Sequence, residues 1–307
     1  MNELYRMLLE AVARGQKITR KTDTATGDEA LFIDGSLAWG DDIKNGLEEN
    51  LVAEPVLVLF GAGHVSKALY DLASLHSMRT IILDDRETEL TEERFPKAER
   101  HIGPFEELLQ REYDAPSPYF VIFTHGHSYD LDALRYCLSH RFSYLGMIGS
   151  KAKSASQIET VRSEGFPEER IAAIHSPIGL SINAVTPEEI AISIMAEIIS
   201  VYRKDRKAVT VDTSLVSRML EEDGVVVRII EKQGSAPRSV GSMMFVNESS
   251  TYSTVGGGRI ESLAIEEARK ILKSGEEKKI VSYDLGKGGN AGMICGGSVK
   301  LLLTRKR

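Results

Sequence analysis

Hydrophobic runs and helically spaced segments alternate through the middle of the chain. VLVLF at 56–60 ends at Gly61-Ala62-Gly63, VSKALYDLASLH follows with helical spacing, and TIILDD is a second apolar run. Strand, glycine turn, helix and strand make one βαβ unit, which requires a parallel sheet and a right-handed crossover. The pattern continues through YFVIFT at 119–124 and SYLGMIG at 143–149. We therefore predict an α/β fold for residues 51–205, a Rossmann-like doubly wound parallel sheet.

The pattern changes after the charged stretch RKDRKAVTVDTS at 203–214, which we interpret as a linker. Residues 206–307 contain mostly strand-like runs, such as VVVRII and GSVKLLLT, with one good helix from about Ile260 to Ser274. Several strands with a single helix predict a smaller α+β domain. Residues 1–50 follow the same order of helix, strand, polar loop, strand and glycine turn. We interpret them as a degenerate copy of the C-terminal unit, with chance similarity as the alternative.

Composition narrows the class of protein. With 307 residues, two domains are the default expectation, and 42% hydrophobic with 27% charged residues is an ordinary globular composition. The net charge of -7 argues against a general nucleic-acid binder. No segment approaches the ~18 apolar residues of a membrane span, and the N-terminus lacks the pattern of a signal peptide. The two cysteines are far apart, which fits a reducing cytosol better than a disulfide framework, so we expect a cytoplasmic protein. From the charge and the missing apolar span, we expect contact with neither nucleic acid nor membrane.

The turn LFGAGHVSKAL follows a strand, opens a helix, and precedes Asp84-Asp85 at the end of the next strand. This spacing is typical of a dinucleotide fingerprint, in which glycines admit a pyrophosphate and the acid binds a ribose. Ser66 stands where the third glycine would be. The alternative is a plain Rossmann turn that binds no dinucleotide.

Three later stretches of this domain also carry candidate chemistry. THGHSYDLDAL at 124–134 follows a strand, and its histidines and aspartates could bind a metal, shuttle protons or cap the next helix. Because spacing fixes no third ligand, we assign no metal site. GMIGSKAK at 146–153 could hold an anion at a helix start or only form a turn. HSPIGLSINAVTPEE at 175–189 is a long connection, either functional or a surface loop whose Thr186 caps the last helix.

The C-terminal unit contains three glycine-rich motifs. QGSAPRSVGSMM at 233–244 is a hairpin connection or a ligand loop. VGGGRIES places three glycines at a helix start, which favours an anion, unless Glu261 only supports the helix dipole of a tight turn. In GMICGGSVK, glycines after Cys295 leave room for a ligand near the sulfur, although a free cysteine is more often buried and inert.

Together these motifs resemble the XdhC/CoxI family of xanthine dehydrogenase accessory factors, over about residues 55–300. The resemblance implies that the chain binds molybdenum cofactor (molybdopterin, with or without a nucleotide) and delivers its sulfurated form to xanthine dehydrogenase or a related molybdenum hydroxylase. It implies a cofactor chaperone rather than a turnover enzyme, with a cysteine desulfurase as a further candidate partner. Many members carry the GSAPR domain first, whereas here it comes last. Function survives this order if both units meet around one crevice, within a chain or between chains, and we therefore expect a homodimer.

Carried over motif by motif, the resemblance implies a set of cofactor-binding residues in both domains. Backbone amides and Arg238 would hold a phosphate, while His125, His127 or Cys295 would lie near the molybdenum. Two other functions stay open, an NAD(P)-dependent oxidoreductase using the glycine turn with Asp84 or Asp85, and a cofactor-free scaffold for the dehydrogenase. The full expected set is Gly61, Gly63, His64, Asp85, His125, His127, Gly149, Ser150, Gly234, Ser235, Pro237, Arg238, Gly241, Gly256, Gly257, Gly258, Glu261, Cys295 and Gly296.

Overall fold

The computed structural model describes residues 2–76, 78–205, 208–234, 238–284 and 297–306. The chain divides into two compact units. Unit 1 is Met1–Ala53 together with Lys207–Arg307, and unit 2 is Glu54–Arg206. The first fifty residues therefore share one unit with the C-terminal segment.

The helices of the described ranges are α1 (Asn2–Ala13), α2 (His64–Leu75), α3 (Phe105–Leu108), α4 (Asp130–Ser139), α5 (Lys151–Ser163), α6 (Glu168–Ala172), α7 (Pro187–Tyr202), α8 (Thr213–Glu221) and α9 (Gly258–Ser274). The strands of unit 2 are β5 (Val56–Phe60), β6 (Thr80–Asp84), β7 (Glu99–Ile102), β8 (Pro118–Ile122), β9 (Tyr144–Met147) and β10 (Ile174–His175). Those of unit 1 are β1 (Ile18–Thr22), β2 (Glu29–Ile33), β3 (Ser36–Gly40), β4 (Leu47–Ala53), β11 (Ala208–Val211), β12 (Gly224–Gly234), β13 (Met243–Val246), β14 (Thr251–Ser253), β15 (Lys278–Asp284) and β16 (Gly297–Lys306).

Unit 2 is a parallel six-stranded sheet in the order β10-β9-β8-β5-β6-β7. Numbered within the unit, this is the 3-2-1-4-5-6 order of the doubly wound fold. Both faces of the sheet are covered, so the central strands β5, β6, β8 and β9 are buried at every position. In β5, Leu57 and Leu59 pack with α2 and α7, while Val58 and Phe60 pack with α4 and α5. The α/β prediction for this segment is confirmed.

Unit 1 contains two further five-stranded sheets, β11-β4-β1-β2-β3 and β14-β13-β12-β16-β15. In β12, Val225 and Val227 pack with α9, whereas Val226 faces a core shared with α1, α8 and the other sheet. The N-terminal run α1-β1-β2-β3 has the same element order as α8-β12-β13-β14. Its interpretation as a degenerate copy stays a prediction.

The charged stretch at 203–214 is more than a linker, because it contains β11, which pairs in parallel with β4. Asp212 then accepts a hydrogen bond from the Leu215 amide at 2.8 Å and caps α8. The flanking lysines and arginines conceal this strand in the sequence, since only four residues, AVTV, carry a β pattern. No helix within the described part of the chain is long and apolar enough to cross a bilayer.

A cluster of buried charges connects the two sheets of unit 1. Arg20, Glu49 and Arg228 are each 2% exposed. One oxygen of Glu49, Oε2, accepts from Arg20 Nε at 3.0 Å and from Arg228 Nη1, and Arg228 Nη2 also donates to Glu29 at 2.5 Å and to Thr22 at 2.8 Å. Burial alone would raise the pKa of Glu49, but the two guanidinium groups outweigh burial and lower that pKa. Glu49 is therefore a buried, charged carboxylate that balances the charges of two buried arginines. We call these residues the Glu49 cluster.

Candidate functional site

The carboxyl ends of β5 and β8 mark the point where the strand order of unit 2 reverses. In open α/β sheets, ligands bind in the crevice at this switch point. The loops that leave these two strands touch each other, since the Phe123 amide donates to the Phe60 carbonyl at 2.8 Å. The glycine turn and the histidine-rich loop predicted from the sequence therefore lie side by side at one edge of the sheet.

The two glycines of the GAGH turn have different roles. Gly61 has φ of +119°, and a Cβ there would lie 2.4 Å from the Phe123 carbonyl oxygen, so this glycine allows the two loops to pack. Gly63, the N-cap of α2, has φ of -70°, and a Cβ there would meet no atom within 4 Å. Gly63 thus borders open space at a helix N-terminus, which is the arrangement that accommodates a phosphate. His64, the first residue of α2, is exposed beside it.

Asp84 is occupied by contacts within the protein. It is 1% exposed and accepts from the Ala62 amide at 2.6 Å and from Arg86 Nε and Nη2 at 2.8 and 2.7 Å. Burial would raise the pKa of Asp84, but these hydrogen bonds outweigh burial and lower it. Asp84 therefore fixes the glycine turn. The partly exposed Asp85, 3.9 Å from Arg86, is the acid of this pair with room for a ligand.

We expect Asp84→Asn to cost unit 2 about 2 kcal/mol of unfolding free energy at pH 7, because the amide loses the charged acceptor that Arg86 and Ala62 use. Since folding lowers the pKa of Asp84, the wild-type advantage is complete above about pH 5 and shrinks as the pH falls below about 4. Denaturant unfolding across this pH range, followed by far-UV circular dichroism, measures it. Asp85→Asn is the matched control, and an equal loss in that variant would contradict the assignment.

Ser66, which replaces the third glycine of the fingerprint, lies in the first turn of α2. It is fully buried, and its Oγ has no hydrogen-bond partner within the described part of the chain. A glycine here usually lets helix and strand approach closely. The small serine side chain leaves this close packing in place, so the departure from the fingerprint does not alter the turn.

The THGHSYD motif forms a 3₁₀ turn over His125–His127, with Gly126 at φ of 57°. His125 is exposed, and the side chain of His127 lies outside the described part of the structure. The N-cap of α4 is Tyr129, so Asp130 already lies within the helix. It is fully buried, accepts from Thr124 Oγ1 at 2.6 Å and pairs with Lys153 Nζ at 3.2 Å. The described residues include no group of three His, Cys, Asp or Glu side chains placed to hold a metal ion.

The GMIGSKAK turn is stabilised from within. Ser150 Oγ accepts from the Lys153 amide at 3.3 Å and caps α5, so its hydroxyl serves the helix. A Cβ on Gly149 would lie 3.3 Å from Ser154 Oγ, which itself accepts from Ser176 at 2.7 Å. These contacts favour the structural interpretation of Gly149 and Ser150 over an anion site.

Sequence reasoning did not find a carboxylate that organises the loop after β10. Glu197 on α7 accepts from Tyr144 Oη at 2.5 Å and from the Gly179 amide at 3.0 Å, and its other oxygen lies 3.2 Å from His175 Nδ1. Burial, together with the bond to Glu197, raises the pKa of Tyr144. Nothing in the local sequence signals this cluster, because its members are about 20 to 50 residues apart.

In unit 1, the GSAPR loop continues from β12, which ends at Gly234 with φ of +68°. Ser235 and Pro237 lie outside the described residues. Arg238 is exposed. Gly241 proves to be a packing glycine, because a Cβ there would lie 2.4 Å from Val209 and 2.5 Å from Glu49 Oε1. Gly241 therefore lies directly against the Glu49 cluster.

The triple-glycine turn before α9 is stabilised by Glu261, which accepts from the Gly257 amide at 3.0 Å and from the Thr254 hydroxyl. Glu261 thus supports its own helix start, as the simpler interpretation predicts. Gly256 to Gly258 all have positive φ, and a Cβ on Gly257 would meet no atom within 4 Å. Cys295 and Gly296 lie outside the described residues.

A cleft of about 820 Å³ in unit 1 lies away from these motifs. Trp39, Asp41, Lys44 and Lys278 are among its lining residues, and the lining includes none of the residues that the sequence singled out. Lys278 is already paired with Asp28 at 2.5 Å. The cleft therefore adds no contact to the predicted site.

Comparison with protein families yields two matches in one chain. The model described as the XdhC Rossmann domain matches residues 57–198, and the model of the XdhC and CoxI family matches residues 218–284. Together the two segments cover more than half of the sequence. The chain belongs to the XdhC and CoxI family. Within this XdhC/CoxI-family chain the Rossmann segment comes first, the order that the motifs indicated.

The matches between this XdhC/CoxI-family chain and its curated relatives cover only part of each relative. The chain is 34% identical over 149 residues to "Uncharacterized protein YqeB" of Escherichia coli, covering 48% of this chain and 27% of that protein. It is 32% identical over 165 residues to a probable xanthine dehydrogenase subunit of Bacillus subtilis, covering 53% and 48%. This chain thus spans about a quarter and about half of these two relatives. A solved structure described as a xanthine dehydrogenase from Bacillus halodurans is 26% identical, with a TM-score of 0.54 and 66% of each chain covered.

Proposed function

We propose that this protein is an accessory factor of xanthine dehydrogenase or a related molybdenum hydroxylase, which binds molybdenum cofactor and delivers its sulfurated form. The observation that carries the proposal is the presence of both family segments, 57–198 and 218–284, in one chain. The Bacillus subtilis relative, whose name places it in a xanthine dehydrogenase, supports the choice of target. Homodimer formation and association with a cysteine desulfurase belong to the same proposal.

The described residues fit a phosphorylated pterin. Such a ligand needs backbone amides beside open space and a cation for its phosphate. Gly63 offers open space at the start of α2 in unit 2, and Gly257 offers it before α9 in unit 1. Arg238, exposed in the GSAPR loop, supplies the cation in unit 1. Gly61, Gly241 and Asp84 serve packing and turn geometry, so we leave them out of the ligand contacts.

Once bound, the cofactor supplies molybdenum and a sulfur ligand to the target enzyme. The role of this chain is to hold and release it. Each unit offers its own contacts for the cofactor. In unit 1, glycine amides and Arg238 would bind a phosphate. In unit 2, the exposed imidazoles of His64 and His125 can donate hydrogen bonds to a pterin. Cys295 of the CGG motif is the proposed contact for the cofactor sulfur. Because Arg238 is exposed, release of the cofactor does not require a buried ion pair to be broken.

Arg238→Ala is expected to lower retention of the cofactor about tenfold, since a charge-assisted contact to phosphate contributes about 1.5 to 3 kcal/mol. Pterin fluorescence after oxidation, measured per chain following anaerobic purification, reports the retained cofactor. Arg269→Ala, an exposed arginine of α9 in the same unit, is the matched control. Equal cofactor contents in wild type and Arg238→Ala would reject the role of this loop.

An NAD(P)-dependent oxidoreductase is the second candidate, favoured by the 3-2-1-4-5-6 strand order and the open space at Gly63. Asp84 is occupied, because its carboxylate serves Arg86 and Ala62, so this function would rely on Asp85 to bind the ribose. Calorimetric titration with NAD⁺ and NADP⁺ separates the two functions. Dinucleotide binding with hydride transfer, in a chain that retains no pterin, would establish the oxidoreductase.

A further inference from the structure

Four large hydrophobic side chains lie exposed within 13 residues of unit 2. Leu180, Ile182, Val185 and Ile192 are 43%, 50%, 81% and 52% exposed. Three belong to the loop between β10 and α7, and the fourth lies on α7. Isolated exposed hydrophobics are common, but a group of this kind marks a surface that another molecule covers. We call these four residues the apolar patch.

The loop that carries the patch is fixed in place. The Ile178 amide donates to the Met147 carbonyl at 3.1 Å, and the Leu180 amide donates to the Ser193 carbonyl at 3.2 Å. Gly179 is bound to Glu197, as described above. At the far end, Thr186 and Glu189 form a capping box at the start of α7. A fixed loop loses little conformational entropy when a partner binds, so the patch is prepared for an interface.

The chain segment that carries the patch holds charge of one sign. From Ile171 to Tyr202 the sequence contains no lysine or arginine. Its acidic residues are Glu188, Glu189 and Glu197, and Glu197 and Glu189 are bound within the fold. Glu188 is exposed one helical turn before Ile192, on the same face of α7. The patch therefore has one exposed carboxylate that is not bound within the fold, Glu188, beside Ile192.

We propose that the apolar patch docks the molybdenum hydroxylase through a hydrophobic surface that places a lysine or arginine opposite Glu188. This inference rests on the proposed function. Charge complementarity favours such a partner over a second copy, because a symmetric contact would bring the same segment, which contains no lysine or arginine to pair with Glu188. The patch follows the carboxyl end of β10, so a partner bound there lies at the sheet edge that carries Gly63.

Ile182→Asp and Val185→Asp test the patch at two exposed positions, where an aspartate does not disturb the core. Leu75→Asp, also an exposed leucine of unit 2 but at the end of α2, is the matched control. Biolayer interferometry against the hydroxylase of the same organism measures each dissociation constant. We expect both patch variants to raise it about tenfold or more and the control to change it less than about twofold. Glu188→Lys should also weaken binding, and added salt should weaken wild-type binding.

Unchanged binding by both patch variants would overturn the docking site while leaving the proposed function in place. A wild-type chain that does not bind the hydroxylase at all would overturn the proposed function and the docking site with it. Size-exclusion chromatography with light scattering adds one further outcome. If the patch variants convert a dimer to monomers and still bind the hydroxylase, the patch joins two copies and the proposed partner is wrong.

Discussion

Glu49→Gln will destabilise unit 1 by about 3 kcal/mol or more, since breaking a buried ion pair leaves its partners charged and unpaired in the interior. Arg20 and Arg228 both donate to the same oxygen of Glu49, and all three side chains are buried. Without the carboxylate, Arg228 retains its ion pair with Glu29, whereas Arg20 loses its hydrogen-bonded counter-charge. The loss of unfolding free energy therefore comes from weaker contact between the two sheets of unit 1.

Trp39 makes this measurement specific to one unit. It is the only tryptophan of the chain and lies on β3, so its fluorescence follows unfolding of unit 1 alone. Urea titrations of wild type and Glu49→Gln give the difference in unfolding free energy. Glu10→Gln, at an exposed pair with Arg14, should change it by less than about 0.5 kcal/mol. A loss in Glu49→Gln no larger than in this control would mean that the cluster does not hold the two sheets together.

The second large effect separates the two glycines of the GAGH turn. Gly61→Ala should destabilise unit 2 by about 3 kcal/mol or more, because the residue must keep a positive φ and its Cβ would lie 2.4 Å from the Phe123 carbonyl oxygen. Gly63→Ala should fold normally, since its φ is ordinary and its Cβ meets open space. The added methyl group would occupy part of the space where a ligand would approach, so we expect about tenfold weaker cofactor retention.

Hydrogen exchange of β5 and β8 reports folding of unit 2, and oxidised-pterin fluorescence reports retention. Loss of protection in Gly61→Ala only, with loss of pterin in the folded Gly63→Ala, is the expected pattern. Normal protection in Gly61→Ala would show that the loops after β5 and β8 do not pack as described. Full pterin content in Gly63→Ala would remove the turn from the ligand site.

The sheet of unit 2 was predictable because its signal is local. Apolar runs, glycine turns and helical periodicity alternate along the sequence, and a parallel sheet is the fold that satisfies them. The site was predictable only in outline. Gly61 and Gly63 are the same residue type in one short motif, yet one packs against a neighbouring loop and the other borders open space. Their φ angles and the position of Phe123, which the sequence does not reveal, distinguish them.

Contacts between distant residues account for most of what the sequence did not indicate. Arg228 and Glu49 are 179 residues apart, and Arg228 sits in an otherwise apolar run of its strand, so nothing nearby signals its partner. β11 was concealed by its charged neighbours. Gly241 looked like part of a ligand loop, but Glu49 and Val209 pack directly against it. Such roles are fixed by tertiary packing, which local patterns do not encode.

Cofactor transfer tests the central claim most directly. Wild-type and Arg238→Ala chains purified anaerobically from cells that make molybdenum cofactor would be mixed with the cofactor-free hydroxylase, and molybdenum, oxidised pterin and hydroxylase activity would be followed together. The proposed function predicts that the wild-type chain carries molybdenum and pterin in equal amounts and that both move to the hydroxylase as its activity appears, with much less transfer from Arg238→Ala. A wild-type chain that carries neither molybdenum nor pterin, and leaves the hydroxylase inactive, would contradict it.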